Sequence, residues 1–362
     1  MRRVLRGLAT QIYLYLHRPF LSRRIVAFSQ NLREPERILI RLPPSPGELL
    51  FAIPTLERIR KSYRESRIFF LIPIARRFIL RENPWCEGVI LEDERIIPFS
   101  PAFFRWKNHL RKQAFDLYMD FMSYDGQRGQ LLSLLSGAKV RMICGKGAPF
   151  FNCEIRVKED HRNEVEKHLS LVTAFLPDSV KEEGIPLFLS EKRERGVRDF
   201  FKFQGVRENE KLIGVDFFRW DPSNLHPLLK EMENHLERRI LILDSGRAFH
   251  SEGFGFGMSR ARDLEAGIKE GWVKDLIHPS FHLKLDGPEI VRRCSLFLSQ
   301  KTDYFSLAYA LDVPTILFLR GSEMRSFQPP PKEFLKIILQ DRNGGFPTGE
   351  VIRCAKDLIR MV

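Results

Sequence analysis

The chain of 362 residues is long enough for two or three domains of roughly 150 residues each, and it carries 59 Lys and Arg against 46 Asp and Glu, a formal net charge of +13. Hydrophobic residues make up 43% and charged ones 29%, enough apolar surface to offset chain entropy, so an intrinsically disordered chain is excluded. The surplus of cations selects an anionic partner: nucleic acid, anionic lipid or a phosphorylated substrate. Cys86, Cys144, Cys153, Cys294 and Cys354 stand far apart with no Cys-x-x-Cys pair. That pattern argues against a disulfide framework or zinc site and for a reducing cytosol. No uncharged apolar run reaches about eighteen residues, so no spanning helix is expected.

At the N-terminus, Arg2, Arg3 and Arg6 precede an apolar run over 8–16, and Arg18, Arg23 and Arg24 follow it. No small-residue cleavage site follows, as a signal peptide would require. Leu5, Leu8, Ile12 and Leu16 recur at helical spacing, forming one apolar stripe. Two readings stand: a helix lying in the interface of an anionic bilayer, or one packed on its own domain. Beyond this segment, placed at 1–35, apolar runs at 37–42, 68–72, 88–91, 116–121 and 140–144 read as strands. Helical patterns at 48–64, 75–81, 101–114, 127–136 and 161–175 separate or follow them. This alternation predicts β-α-β units and a parallel sheet over 36–178.

A linker region is placed at 179–210, next to the Pro-bounded stretch 177–186. The alternation then resumes over 211–345, with strands at 212–216, 239–244, 273–277, 295–299 and 315–319. Helices are expected at 225–236, 288–294 and 306–310, and a last one at 349–362 within the terminal segment 346–362. Ligands of such sheets sit beyond the carboxyl ends of the strands. The stretches to watch are therefore 43–48, 121–128, 216–224, 244–257, 300–306 and 320–326. His161 and His168 share one helix face without a third ligand and read as surface residues. The glycines of 253–257 do not lead from a strand into a helix and read as a Phe-bearing loop. Cations are dispersed without aromatic alternation, so no nucleic acid partner is expected.

The run from Ile38 to Arg60, Ile-Leu-Ile-Arg-Leu-Pro-Pro-Ser-Pro-Gly-Glu-Leu-Leu-Phe-Ala-Ile-Pro-Thr-Leu-Glu-Arg-Ile-Arg, leads into a second apolar strand. It resembles the opening of the lipopolysaccharide heptosyltransferases, glycosyltransferase family 9: a strand, a Ser-x-Gly-Asp turn, a helix with Pro-x-Leu, and a strand. The segments 115–137, 164–175 and 286–322 resemble that family's later blocks, in order, so the likeness spans most of 36–335. It implies an α/β GT-B architecture, two Rossmann-like parallel-sheet domains facing across a cleft. The donor would be held mainly by the second domain, and the C-terminal helix would return to the first.

The resemblance also implies site residues. The family's Ser-x-Gly-Asp turn stands here as Ser45-Pro46-Gly47-Glu48, with Ser45 and Gly47 shaping the turn. Glu48 takes the place of the Asp implied as the base for the acceptor hydroxyl, one methylene longer. Its alternative is an ordinary first-turn Glu favoured by the helix dipole. The donor motif Asp-Thr-Gly-Pro-x-His-Leu-Ala becomes Lys301-Thr302-Asp303-Tyr304-Phe305-Ser306-Leu307-Ala308. Lys301, Thr302 and Arg219 are implied to contact the donor diphosphate, beside Asp303 and Ser306. Asp303 sets a negative charge where the phosphate would lie, and helix capping by Thr302 and Asp303 is the competing reading.

Two functions follow from this. One is an inverting sugar transferase at the cytoplasmic face of the membrane, moving a sugar from a nucleotide diphosphate donor to a lipopolysaccharide or lipid-linked acceptor, with no metal. The other is a catalytically inactive module of the same fold that binds a protein partner. In either case Arg58, Arg60, Arg64, Arg76, Arg77, Arg105, Lys107, Arg111 and Lys112 concentrate charge in the first half. That charge reads as a docking surface for an anionic membrane or glycolipid.

Overall fold

The computed structural model describes residues 2–18, 34–43, 46–73, 83–92, 96–121, 126–144, 150–155, 164–173, 176, 191–216, 220, 222–243, 276–277, 287–324, 327, 329, 331–341 and 344–361. It divides into two compact units, Met1–Glu183 and Gly184–Val362.

The first unit runs α1 (Arg2–His17), β1 (Arg37–Arg41), α2 (Pro46–Ser62), β2 (Arg67–Pro73), β3 (Gly88–Glu92), α3 (Pro101–Lys112), β4 (Leu117–Asp120), α4 (Gly126–Ser136), β5 (Val140–Cys144), β6 (Cys153–Ile155) and α5 (Glu164–Thr173). Its sheet has the order β3-β2-β1-β4-β5-β6, and every pairing is parallel. Alternate residues of β1 serve opposite faces. Ile38 and Ile40 join Leu49, Ala52, Leu56 and Ile59 of α2 in one core. Leu39 joins Phe103 and Leu110 of α3, Leu131 and Leu135 of α4, and Tyr13 and Leu14 of α1 in the other. Covering both faces is what demands the unbroken apolar runs seen in the sequence.

The second unit repeats the plan with α6 (Glu191–Phe203), β7 (Leu212–Asp216), α7 (Pro222–Leu236), β8 (Ile240–Leu243), β9 (Leu276–Ile277), α8 (Gly287–Val291), β10 (Cys294–Gln300), α9 (Asp303–Ala310), β11 (Thr315–Arg320), α10 (Gly321–Met324), β12 (Leu335–Gln340) and α11 (Thr348–Arg360). The order β12-β11-β10-β7-β8-β9 is again all parallel. In each sheet the chain winds outward to one side of its first strand, then crosses to the other side. This places a topological switch point between β1 and β4, and another between β7 and β10.

Three elements add to the sequence reading. Helix α6 lies inside the stretch read as a linker; its Val197 and Phe201 are buried, while its many charges hid the short apolar face. The C-terminal helix buries Val351, Ile352, Ala355 and Leu358 in the core of the second sheet, with Leu225 and Leu228 of α7. Strand β12 was not anticipated after 315–319, because as an edge strand it exposes Ile337 and Leu339 and so breaks the buried-run pattern. The expected helix at 75–81, the Pro-bounded stretch 177–186 and the glycine loop 253–257 lie outside the described residues.

Gly214, at the centre of β7, leaves no space for a side chain. A Cβ there would collide with the Phe297 ring and stand 2.7 Å from Cys294 Sγ, both on the adjoining strand. Gly214→Ala should therefore cost about 1–3 kcal/mol through overpacking, seen as a lower thermal midpoint; an unchanged midpoint would contradict this packing.

The amino end of the first sheet is held by Asp116. Its carboxylate accepts the backbone N–H of Glu36 at 3.0 Å and of Arg37 at 3.1 Å, and Lys139 Nζ at 2.9 Å. Burial pushes this carboxyl up, but the hydrogen bonds from Lys139, Arg37 and Glu36 outweigh it and hold the group below its ordinary value. Its stabilisation is thus complete above the unfolded value near pH 4 and is lost as the pH falls through the folded one. Asp116→Asn should flatten the acid limb of a thermal midpoint against pH profile; an unaltered limb would remove Asp116 from the cause.

Candidate functional site

Charged residues close several otherwise apolar strands. Arg41 ends β1, Glu92 ends β3, Asp120 ends β4 and Asp216 ends β7. In the first unit they form one connected chain at the carboxyl edge of the sheet. Arg41 Nη1 meets Asp120 Oδ2 at 3.3 Å, and Arg41 Nε lies 3.6 Å from Glu92 Oε2. Arg128 Nε, from α4, closes on Glu92 Oε1 at 2.6 Å. The Tyr118 hydroxyl donates to Asp120 Oδ2 at 3.1 Å. Arg41 is 6% exposed and Asp120 2%, so these charges are stable only in each other's company. Burial and the charge of Asp120 raise the Tyr118 phenol well above its ordinary value, which keeps it a donor.

The backbone of α4 is drawn tightly onto this cluster. A Cβ at Gly129 would fall 2.9 Å from Asp120 Oδ2 and 3.4 Å from Arg41 Nη1. Arg128 also lies over the Trp106 ring, 5.9 Å from its centroid, tying α4 to α3. The switch point thus carries a connected polar cluster at the end of β1, the strand that precedes α2. Gly47 is buried in the first turn of α2 and Glu48 is exposed there, while Ser45 lies outside the described residues.

The second unit gathers polar groups at its own switch point. Ser299 Oγ donates to the buried Asp216 carboxylate at 3.4 Å and lies 3.0 Å from Thr302 Oγ1. Thr302 is the N-cap of α9, its hydroxyl accepting the Phe305 N–H at 3.3 Å. Ser306 is buried one turn on, its hydroxyl donating to the Thr302 carbonyl at 3.5 Å. Asp303 occupies the first turn of α9, and the Lys301 ammonium sits 4.4 Å from the Phe327 ring centroid. Four of the donor-side residues read from the sequence, Lys301, Thr302, Asp303 and Ser306, are therefore together, and the capping reading of Thr302 holds in the geometry. Arg219 lies outside the described residues.

The sequence reading missed Arg41, Glu92, Asp120, Arg128, Asp216 and Ser299. The signal available was a charge or hydroxyl closing an apolar strand run. His168, expected at the surface, is 5% exposed and stacks on Phe121 with ring centroids 6.0 Å apart. Its helix face also carries Val165 and Leu169, which a histidine can join when its ring lies against another. His161 is outside the described residues. Among the described residues, no group of three or more His, Cys, Asp or Glu is placed to hold a metal ion, and no helix is long and apolar enough to cross a membrane.

Among solved structures, the chain is similar to a glycosyl transferase family 9 protein from Veillonella parvula, with a TM-score of 0.73 at 15% identity over 91% of this chain and 99% of that one. It is similar to ADP-heptose lipopolysaccharide heptosyltransferase II of E. coli, with a TM-score of 0.69 at 15% identity over 90% and 99%. Heptosyltransferase WaaC of E. coli, solved with ADP-2-deoxy-2-fluoro heptose, gives 0.60 at 15% identity over 90% and 99%. No family model and no curated protein matches the sequence. At such identities the likeness lies in the fold: the chain has the α/β, GT-B architecture of the family 9 heptosyltransferases.

Removing one member of the buried charge chain strands the others. Asp120→Ala should destabilise the protein by about 3–5 kcal/mol, because Arg41 and the Tyr118 hydroxyl lose their shared acceptor. Chemical denaturation measures this, and a loss under about 1 kcal/mol would show that solvent reaches the cluster.

Proposed function

We propose that this protein is a glycosyltransferase that moves a sugar from a nucleotide diphosphate donor to a lipopolysaccharide or lipid-linked acceptor. The observation that carries the reading is the likeness of its fold, over about nine-tenths of the chain, to a glycosyl transferase family 9 protein and two heptosyltransferases, one of them solved with an ADP-sugar analogue. The polar clusters at the two switch points support it, since doubly wound sheets bind ligands there. In this reading the donor diphosphate lies at the amino end of α9, whose first-turn N–H groups and the Lys301 ammonium face its charge. Thr302 and Ser306 order that end, Asp303 adds a carboxylate in the same first turn that the Lys301 ammonium offsets, and Arg219 contributes a second cation.

Glu48 acts as the base. Its carboxylate takes the acceptor hydroxyl proton as the oxygen attacks the anomeric carbon, and the nucleoside diphosphate leaves from the opposite face. One such displacement inverts the anomeric centre. The carboxylate is exposed in the first turn of α2, at the helix end that favours negative charge. The residues that would bind are thus on rigid strand ends and helix starts, which is what positioning a near-attack geometry requires.

A second reading has its own support. The Thr302 hydroxyl is already engaged by Phe305 N–H and Ser299, and Lys301 rests over Phe327. Those contacts suit a fold retained as an inactive module whose ligand is a protein. Thermal-shift titration with a panel of nucleoside diphosphate sugars separates the two, because a ligand held by the native state alone stabilises it by about 2.7 kcal/mol at a hundred times its dissociation constant. The transferase reading expects a shift for at least one sugar nucleotide. It also expects Glu48→Gln to lower transfer by about 10²-fold or more while leaving that shift intact. No shift across the panel favours the inactive module, and unchanged turnover removes Glu48 as the base.

A further inference from the structure

Helix α1 has two apolar faces. Thr10, Tyr13 and Leu14 are buried on one side. The Tyr13 ring meets Phe103 at 4.9 Å and Phe99 at 5.4 Å, and Lys107 Nζ of α3 lies 5.7 Å from its centroid. Those contacts fasten the helix to the first unit. The opposite side carries Val4, Leu5, Leu8, Ile12, Tyr15 and Leu16, each between 45% and 75% exposed. At 100° per residue these six positions fall within an arc of about 120° that holds no polar residue. Six large apolar side chains left in water on one face are surface waiting for a partner, not ordinary scatter.

The neighbouring surface says which partner. Phe99 and Phe104 extend the apolar patch, each 43% exposed, and Phe99 is held at a φ of 71° beside Tyr13. Neither α1 nor α3 contains a single Asp or Glu. Arg105, Arg111 and Lys112 of α3 are exposed. A second copy of this face would bring like charges together with no acid in either helix to offset them. An anionic bilayer offers hydrocarbon to the ridge and phosphates to the cations at once. At about 24 Å for sixteen residues, α1 is too short to span the hydrocarbon core, so it lies flat.

We infer that α1 docks the protein on an anionic phospholipid surface, with Val4, Leu5, Leu8, Ile12, Tyr15 and Leu16 immersed at the headgroup boundary and the α3 cations facing lipid phosphate. The docking needs neither donor nor acceptor, so it stands or falls apart from the transferase reading.

The test is flotation of the full chain with vesicles of equal parts phosphatidylglycerol and phosphatidylcholine, against phosphatidylcholine alone, at low and raised salt. The protein should float with the anionic vesicles, less so as salt rises. Leu8→Glu/Ile12→Glu, on exposed positions, should reduce the bound fraction at least about tenfold with an unchanged thermal midpoint. Arg105→Gln/Arg111→Gln/Lys112→Gln should weaken binding and flatten its salt dependence. Absence of flotation, equal flotation with phosphatidylcholine, or variants that float like the parent would each overturn the inference. Conversion of a dimer to a monomer by Leu8→Glu/Ile12→Glu without flotation would overturn it too, by assigning the face to a second copy.

Discussion

A parallel strand covered by helices on both faces has room for polar side chains only at its ends. The architecture of this protein follows from that constraint. Along β1, β4 and β7 every interior position is buried and, but for the Tyr118 hydroxyl, apolar, while Arg41, Asp120 and Asp216 stand at the carboxyl ends. The crossing of the chain from one side of its first strand to the other separates the flanking loops at that point. Polar groups therefore gather at the strand ends where the winding changes side, once in each unit.

The two units use their polar ends differently. In the first, opposite charges from three strands and α4 neutralise one another in a chain from Tyr118 to Arg128, and Gly129 lets the helix backbone close over them. Such a cluster adds little net stability over an apolar replacement, but it punishes any single loss. Its effect is positional: it fixes β1, β3, β4 and the start of α4 relative to one another. In the second unit the cluster is neutral hydroxyls around one carboxylate, with the Thr302 cap turning the start of α9 toward the same edge. An amino end of a helix beside exposed backbone is electropositive, and an anion is what it accommodates most readily.

Much of the alternation was legible beforehand because each buried strand is a short run of large apolar residues, and each helix shows a stripe at helical spacing. The elements that escaped depart from those patterns for stated reasons. Helix α6 is dominated by charge around a narrow buried face, and β12 is half exposed at an edge. The donor-side residues were legible by their order in a motif, yet their state was not: Thr302 spends its hydroxyl on capping, and Lys301 lies over an aromatic ring contributed by the segment after β11. His168 was misjudged because a lone histidine in a polar-looking helix gives no hint of the Phe121 ring that receives it.

By itself the sequence determined the class of fold and the basic character of the first half, since both depend on residue type and local spacing. It also determined that Leu5, Leu8, Ile12 and Leu16, set among arginines, recur at helical spacing as one apolar stripe. Which face of that helix is spent on the protein and which is left to a partner was decided only by tertiary structure, because both faces are apolar and only the Phe99 and Phe103 rings select Tyr13. The pairing of Arg41 with Asp120 and Glu92 was decided there as well, for those residues lie tens of positions apart and meet only when parallel strands come into register. The net charge of +13 is thereby divided: some cations are neutralised inside the sheet edge, and those of α3 remain outward beside an apolar ridge. Composition counts charges, and only packing decides which of them reach solvent.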